Sequence, residues 1–225
     1  MNRSMRKINQ LKPLQKKGFT LVEVLLTTLI FPVILFSVYS LLNLSNMLSN
    51  TNEVYAQLNQ NAMQILHYIG REIGQTSPNA APSHITITQD GNNNSVVTFQ
   101  IPVDWDNDGD VTVTGTSNAT EWGAYDRIGQ TANGHLNYWI RYSISGTQLI
   151  REVLNAGQAA TGTSVVVANN IKSAAGFTVT RFGINNNTIR TALALTGTDA
   201  IGQFGKPRTF QATFSNDAIL RNAVN

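Results

Sequence analysis

The chain has 225 residues, no cysteine and only 13% Asp, Glu, Lys and Arg, with Thr, Asn, Ser and Gly plentiful. Disulfides, thiolate metal sites and cysteine nucleophiles are therefore excluded, and the composition suits an extracytoplasmic β-rich domain better than a cytosolic enzyme. The net charge of +3 is uneven: six of the sixteen basic residues precede Gly18 and no acid does, which leaves ten against thirteen acids, or −3, for the rest; the basic isoelectric point is thus poor evidence for nucleic-acid binding.

The first element is a short basic leader holding Arg3, Arg6, Lys7, Lys12, Lys16 and Lys17. After it, from Phe19 to Asn52, the only charge is Glu23. Residues 24–42 are apolar except for Thr27, Thr28, Ser37 and Ser40. As a helix this run spans about 28 Å, close to the hydrocarbon thickness of a bilayer. The basic flank predicts that the leader stays in the cytoplasm while the remainder crosses. An ordinary secretory signal has a shorter apolar core followed by a small-residue site, and Asn43-Leu44-Ser45-Asn46 is a poor one. A plain signal anchor explains the length and the flank but not Glu23, because an acid at a membrane segment is costly and usually paired or functional. Pro32 removes one backbone hydrogen bond and predicts a kink.

The run Lys16-Lys17-Gly18-Phe19-Thr20-Leu21-Val22-Glu23-Val24 resembles the processing signal of the type IV prepilin and type II secretion pseudopilin superfamily. The resemblance implies that a prepilin peptidase cuts between Gly18 and Phe19 on the cytoplasmic side and methylates the new amine of Phe19. It also implies that the apolar segment becomes the packing core of a fibre. Glu23, the fifth mature residue, would then meet the cationic amine of a neighbouring subunit, each relieving the other's desolvation and fixing axial register.

Beyond the membrane segment, Val54, Leu58, Ala62, Ile65, Ile69 and Ile73 fall at spacings of 4, 4, 3, 4 and 4, the apolar stripe of a helix. Gly74 and Pro78 end it. From His84 onward β-branched and aromatic residues predict strands over 84–88, 95–103, 111–114, 137–144, 148–154, 164–168, 176–181, 188–195 and 208–214. Ser145-Gly146 predicts a tight hairpin. Turns or loops are predicted at Asn92-Asn93-Asn94, at Asn185-Asn186-Asn187 and over 202–207. The expected fold is α+β and pilin-like: a leader over 1–18, a long helix over 19–75 with its transmembrane segment at about 24–42, and a β-rich head over 76–225 in which the helix packs on an antiparallel sheet. The order Leu136-Asn137-Tyr138, hairpin, Leu149-Ile150-Arg151, 167–171, 177–182 and a last strand ending Leu220-Arg221-Asn222 is similar to J-type minor pseudopilins and W-type minor pilins. That similarity implies a subunit that initiates or caps a fibre.

Asp104, Asp106, Asp108 and Asp110 alternate in Asp104-Trp105-Asp106-Asn107-Asp108-Gly109-Asp110. Four like charges this close repel unless a cation lies among them, and hard oxygens at alternate positions suit Ca²⁺. The opening D-x-D-x-D-G matches an EF-hand-type loop, but the twelfth position is Gly115 and no flanking helix is predicted. A partial loop closed by a later acid, Glu121 or Asp126, is one reading, and a solvated acidic turn is the other. Bound calcium would supply the staple that disulfides supply elsewhere.

Signals for catalysis are absent. His67, His84 and His135 have no metal-ligand spacing, and there is no nucleophile elbow, P-loop or dinucleotide fingerprint. The aromatic residues Trp105, Trp122, Tyr125, Tyr138, Trp139 and Tyr142 suit either a binding surface or the core. The expected protein is a non-enzymatic minor pilin or pseudopilin of the bacterial inner membrane, with its head in the periplasm or outside. Its expected partners are prepilin peptidase, other pilin or pseudopilin subunits and the membrane. The alternative is a pilus-tip adhesin or DNA-uptake module on the same anchor, so a nucleic-acid partner stays open.

Overall fold

The computed structural model describes residues 18–77, 83–113, 119–183, 187–199 and 208–220. The leader before Gly18, Pro78, Gly115, Asn185, Asn186, the loop over 202–207 and Arg221-Asn222 lie outside the described residues. The chain divides into two compact units, one ending at Asn46 and one beginning at Met47.

The helix α1 is Leu21–Ile73, 53 residues long. It starts on Thr20 and stops at Gly74, whose amide still reaches the Gly70 carbonyl at 2.9 Å. In the first unit every residue from Leu21 to Asn46 is exposed. An 18-residue window here has a mean hydropathy of 2.4. A helix that is apolar all round needs cover on every side, and no described residue of this unit provides it. Its few hydroxyls are turned back on the helix: Thr27 to the Glu23 carbonyl, Thr28 to Leu25 and Ser37 to Val33, all within 2.9 Å. That arrangement removes polar groups from an apolar surround. The α1 segment is thus long and apolar enough to span a membrane. Pro32 lies inside it, within an unbroken helix assignment.

In the second unit the helix buries Leu58, Ala62, Leu66, Ile69 and Ile73, the expected stripe with Leu66 deeper than Ile65. Eleven strands follow: β1 (Ile85–Gln89), β2 (Ser95–Phe99), β3 (Ile101–Pro102), β4 (Trp122–Ala124), β5 (His135–Leu136), β6 (Trp139–Ser145), β7 (Gln148–Leu154), β8 (Ala160–Ala168), β9 (Phe177–Phe182), β10 (Thr188–Asp199) and β11 (Arg208–Ile219). Every described pairing is antiparallel. The strands form three sheets: β1-β2-β6-β7-β8, β11-β10-β9 and β3-β4-β5. The architecture is α+β, a long N-terminal helix packed on antiparallel sheets.

The expected strand over 95–103 breaks at Gln100, a buried residue whose side chain meets His84 Nδ1 at 2.8 Å and donates to the Tyr138 carbonyl at 3.2 Å. The chain thereby leaves one sheet and enters another. In place of a strand over 111–114 the described part makes a single bridge between Thr112 and Thr120. The β6–β7 hairpin turns on Gly146 and Thr147, with Gly146 at φ 62°, the positive angle that the first centre of such a turn requires. At Gly197 in β10 an added Cβ would stand 2.8 Å from Val54 Cγ1 and 3.0 Å from Leu58 Cδ1, so glycine lets strand and helix touch. The core joins Leu58, Leu66, Phe99, Ile140, Tyr142, Phe177, Ile189 and Leu193.

Candidate functional site

Gly18 and Phe19 sit just ahead of the helix, and Phe19 is 84% exposed. Thr20 and Glu23 form a reciprocal cap. Glu23 Oε2 accepts the Thr20 amide at 2.8 Å and its hydroxyl at 3.0 Å, while the Thr20 hydroxyl oxygen accepts the Glu23 amide at 3.3 Å. This is a capping box, which satisfies amides that the first helical turn leaves open and places a carboxylate at the positive end of the helix dipole. Glu23 therefore has a local role within one chain.

The acidic loop opens from β3. Carboxylate oxygens of Asp104, Asp106 and Asp108 lie within 4.8 Å of one another. The backbone curls because three of the four aspartates accept an amide two residues on: Asp108 to Asp106 Oδ1 at 3.4 Å, Asp110 to Asp108 Oδ1 at 3.0 Å and Thr112 to Asp110 Oδ1 at 2.6 Å. Gly109, at φ 94°, donates its amide to Asp104 Oδ2 at 3.1 Å and closes the curl. Asn107, at φ 60°, uses a conformation that Asn tolerates, and its Oδ1 accepts the Asn133 amide at 3.0 Å. Asp110 lies outside that cluster of three. Its carboxylate takes both the amide and hydroxyl of Thr112, which hold it below the ordinary aspartate range.

The two acids considered for closing the loop differ in setting. Asp126 pairs with His135 at 3.2 Å and its side chain is 45% exposed. Glu121 is 1% exposed and lies between the two stems of the loop. Its carbonyl accepts the Val103 amide and its amide donates to the Val111 carbonyl, both at 2.8 Å. Beside the loop is a cavity of about 410 Å³ lined by Tyr68, Arg71, Asp104, Asp110, Tyr125 and Arg127, among others.

One buried cluster went unnoticed in the sequence. Arg151 of β7 donates to both oxygens of Glu72 from the helix, at 2.8–3.2 Å, and to the carbonyls of Tyr125 and Asp126 at 2.8 and 2.9 Å. The Tyr142 hydroxyl donates to Glu72 Oε2 at 2.6 Å. Burial, then the charge of Glu72, pushes the Tyr142 phenol well above its usual range, so it remains a donor. A signal was present: Leu149, Arg151 and Val153 share the inward face of β7, and an inward charge demands a partner.

The aromatic residues do not gather into one surface. Tyr125 and Tyr142 are buried, Trp122 stacks on His84 at 4.2 Å, and Tyr138 stacks on His135 at 4.9 Å. No protein-family model matches the chain, and neither a curated protein nor a solved structure does.

Proposed function

We propose that this chain is a prepilin-like minor subunit, cut between Gly18 and Phe19 and built into a type IV pilus or type II secretion pseudopilus at initiation or at the tip. One observation carries the reading: in the sequence a basic leader, Gly18 and Phe19 directly precede an apolar helix with Glu23 in its first turn, and no described residue of its own unit covers that helix. A membrane covers such a helix before assembly, and the helices of neighbouring subunits cover it afterwards. In this account the subunit sits in the bacterial inner membrane as a single-pass protein with its head outside the cytoplasm. It has no catalytic task; its function is to present a head on a polymerising stem.

The test is the intact mass and N-terminal sequence of the protein from its native membrane. A chain beginning at N-methylated Phe19 is expected. A chain still beginning at Met1, in cells with an active prepilin peptidase, would refute the reading and leave a signal-anchored β-rich domain.

A further inference from the structure

Two carboxylate oxygens in the throat of the acidic loop lack any hydrogen-bond partner: Oε1 of Glu121 and Oδ1 of Asp104, both buried. Glu121 points into the loop rather than across it, because its other oxygen, Oε2, accepts the amide of Trp105 at 3.2 Å. The backbone of Glu121 is held on both sides by Val103 and Val111, and the residue is 1% exposed. Neither Glu121 nor Asp104 pairs with a Lys, Arg or His among the described residues. An ionised carboxylate buried without a counter-charge is costly. Here Oε2 of Glu121 holds the Trp105 amide, between two of the three aspartates that cluster on the loop. A bound cation removes that cost, and no Lys, Arg or His among the described residues does.

We propose that Asp104, Asp106, Asp108 and Glu121 form a Ca²⁺ site in which Glu121, from the residue before β4, takes the place of the acid that Gly115 lacks. Several features select the ion. Every ligand is a hard oxygen, and His135 is engaged with Asp126. Calcium accepts six to eight oxygens at about 2.3–2.6 Å, so ligands on opposite sides of it stand about 4.6–5.2 Å apart. The three aspartates stand close enough together to share one ion. Magnesium would need a tighter octahedron and keeps most of its water. Asp110 is left to its Thr112 bonds; it is the seventh residue counted from Asp104, the position at which an EF-hand-type loop uses a backbone carbonyl rather than a side chain. The ion would tie the loop to β4 and fix the Asp104 side of the neighbouring cavity. The site stands independently of the pilin reading, since none of its residues belongs to the leader or the helix.

The loop supplies its own reporter. Trp105 lies between two of the ligands and is 47% exposed, placed to sensitise a lanthanide in the site. The experiment uses the full chain in a nonionic detergent, stripped with a chelator and titrated with Tb³⁺ under tryptophan excitation, then with Ca²⁺ and Mg²⁺ as competitors. Calcium uptake is measured separately by calorimetry. Sensitised emission displaced by Ca²⁺ at about 1 mM or below is expected, with Mg²⁺ a much weaker competitor. Glu121→Gln and Asp106→Asn should each weaken Ca²⁺ binding by about 10-fold or more, while Asp217→Asn, on a distant sheet, should not. In chelator, Glu121→Gln should melt at or above the wild-type temperature, because an uncompensated buried charge is gone. In calcium, only the wild type should gain. No calcium uptake by the wild type, or Glu121→Gln titrating as wild type does, would overturn the proposal. Should Glu121→Gln fail to fold, Asp106→Asn and Asp108→Asn decide: unchanged affinity in both overturns it equally.

Discussion

Arg151 and Glu72 show what a single residue does here. The pair is almost fully buried, at 1% and 5% side-chain exposure, and Arg151 spends its remaining donors on two carbonyls. Removing one partner strands the other charge, so Arg151→Ala is expected to cost about 3–5 kcal/mol in urea unfolding. Arg151→Lys should recover little, since an ammonium cannot reproduce the fork that meets both oxygens of Glu72. The double change Glu72→Leu with Arg151→Met should be less destabilising than Arg151→Ala, because no charge remains unpaired. Asp90 offers a pH test. Hydrogen bonds from the Asn94 side chain, then its backbone, hold its carboxyl below the ordinary 3.8. A depressed folded value adds stability that is complete above that ordinary value and is lost as the pH falls through the lower folded one. Acid melting curves should therefore steepen below pH 3.8, and Asp90→Asn should flatten that limb. Sequence inspection found the acidic loop because alternation is a local signal. It missed Glu72 because a helical acid next to an apolar stripe reads as solvated until its partner 79 positions away is known.

At the level of elements, α1 was legible to its last residue because 3.6-residue periodicity and Gly74 are both written locally. The hairpin β6–β7 was legible for the same reason. The division into three sheets was not. Val97, Phe99, Ile101 and Val103, at every second position, are all buried, and such spacing reports which face is inward, not which neighbour supplies the hydrogen bonds. Gly123 enforces the neighbour chosen: a Cβ there would lie 2.1 Å from the His135 carbonyl oxygen and 2.9 Å from Val103 Cγ2. Gly123→Ala is expected to cost about 1–3 kcal/mol and to lower the melting temperature. The N-terminal end of the helix carries a sharper test, because Glu23 is both cap and candidate assembly residue. Gln keeps a capping box but not the charge. If assembly depends on pairing with the Phe19 amine of a neighbour, Glu23→Gln should leave helix content unchanged yet be absent from purified fibres. Thr20→Ala should fray the first turn and still assemble. Normal incorporation of Glu23→Gln would reduce Glu23 to a cap.

For the molecule as a whole, the decisive contrast is between a covered core and an uncovered helix. The buried cluster and the residues packed against it begin at Val54 and run to Leu220. Among the described residues, none before Met47 belongs to it. Folding of the second unit therefore draws its hydrophobic stabilisation from within residues 47–225. A chain beginning at Met47 is expected to be soluble without detergent and to unfold cooperatively, within a few degrees of the full chain in detergent. The full chain without detergent should self-associate, since Leu21, Leu29, Phe36 and Leu41 are each more than 60% exposed and an apolar surface of that extent seeks a partner. Sedimentation and thermal melting of both chains check this pair of outcomes. A shortened chain that is aggregated or lacks a cooperative transition would mean that the helix before Met47 stabilises the head, and that the membrane-facing segment serves folding as well as anchoring.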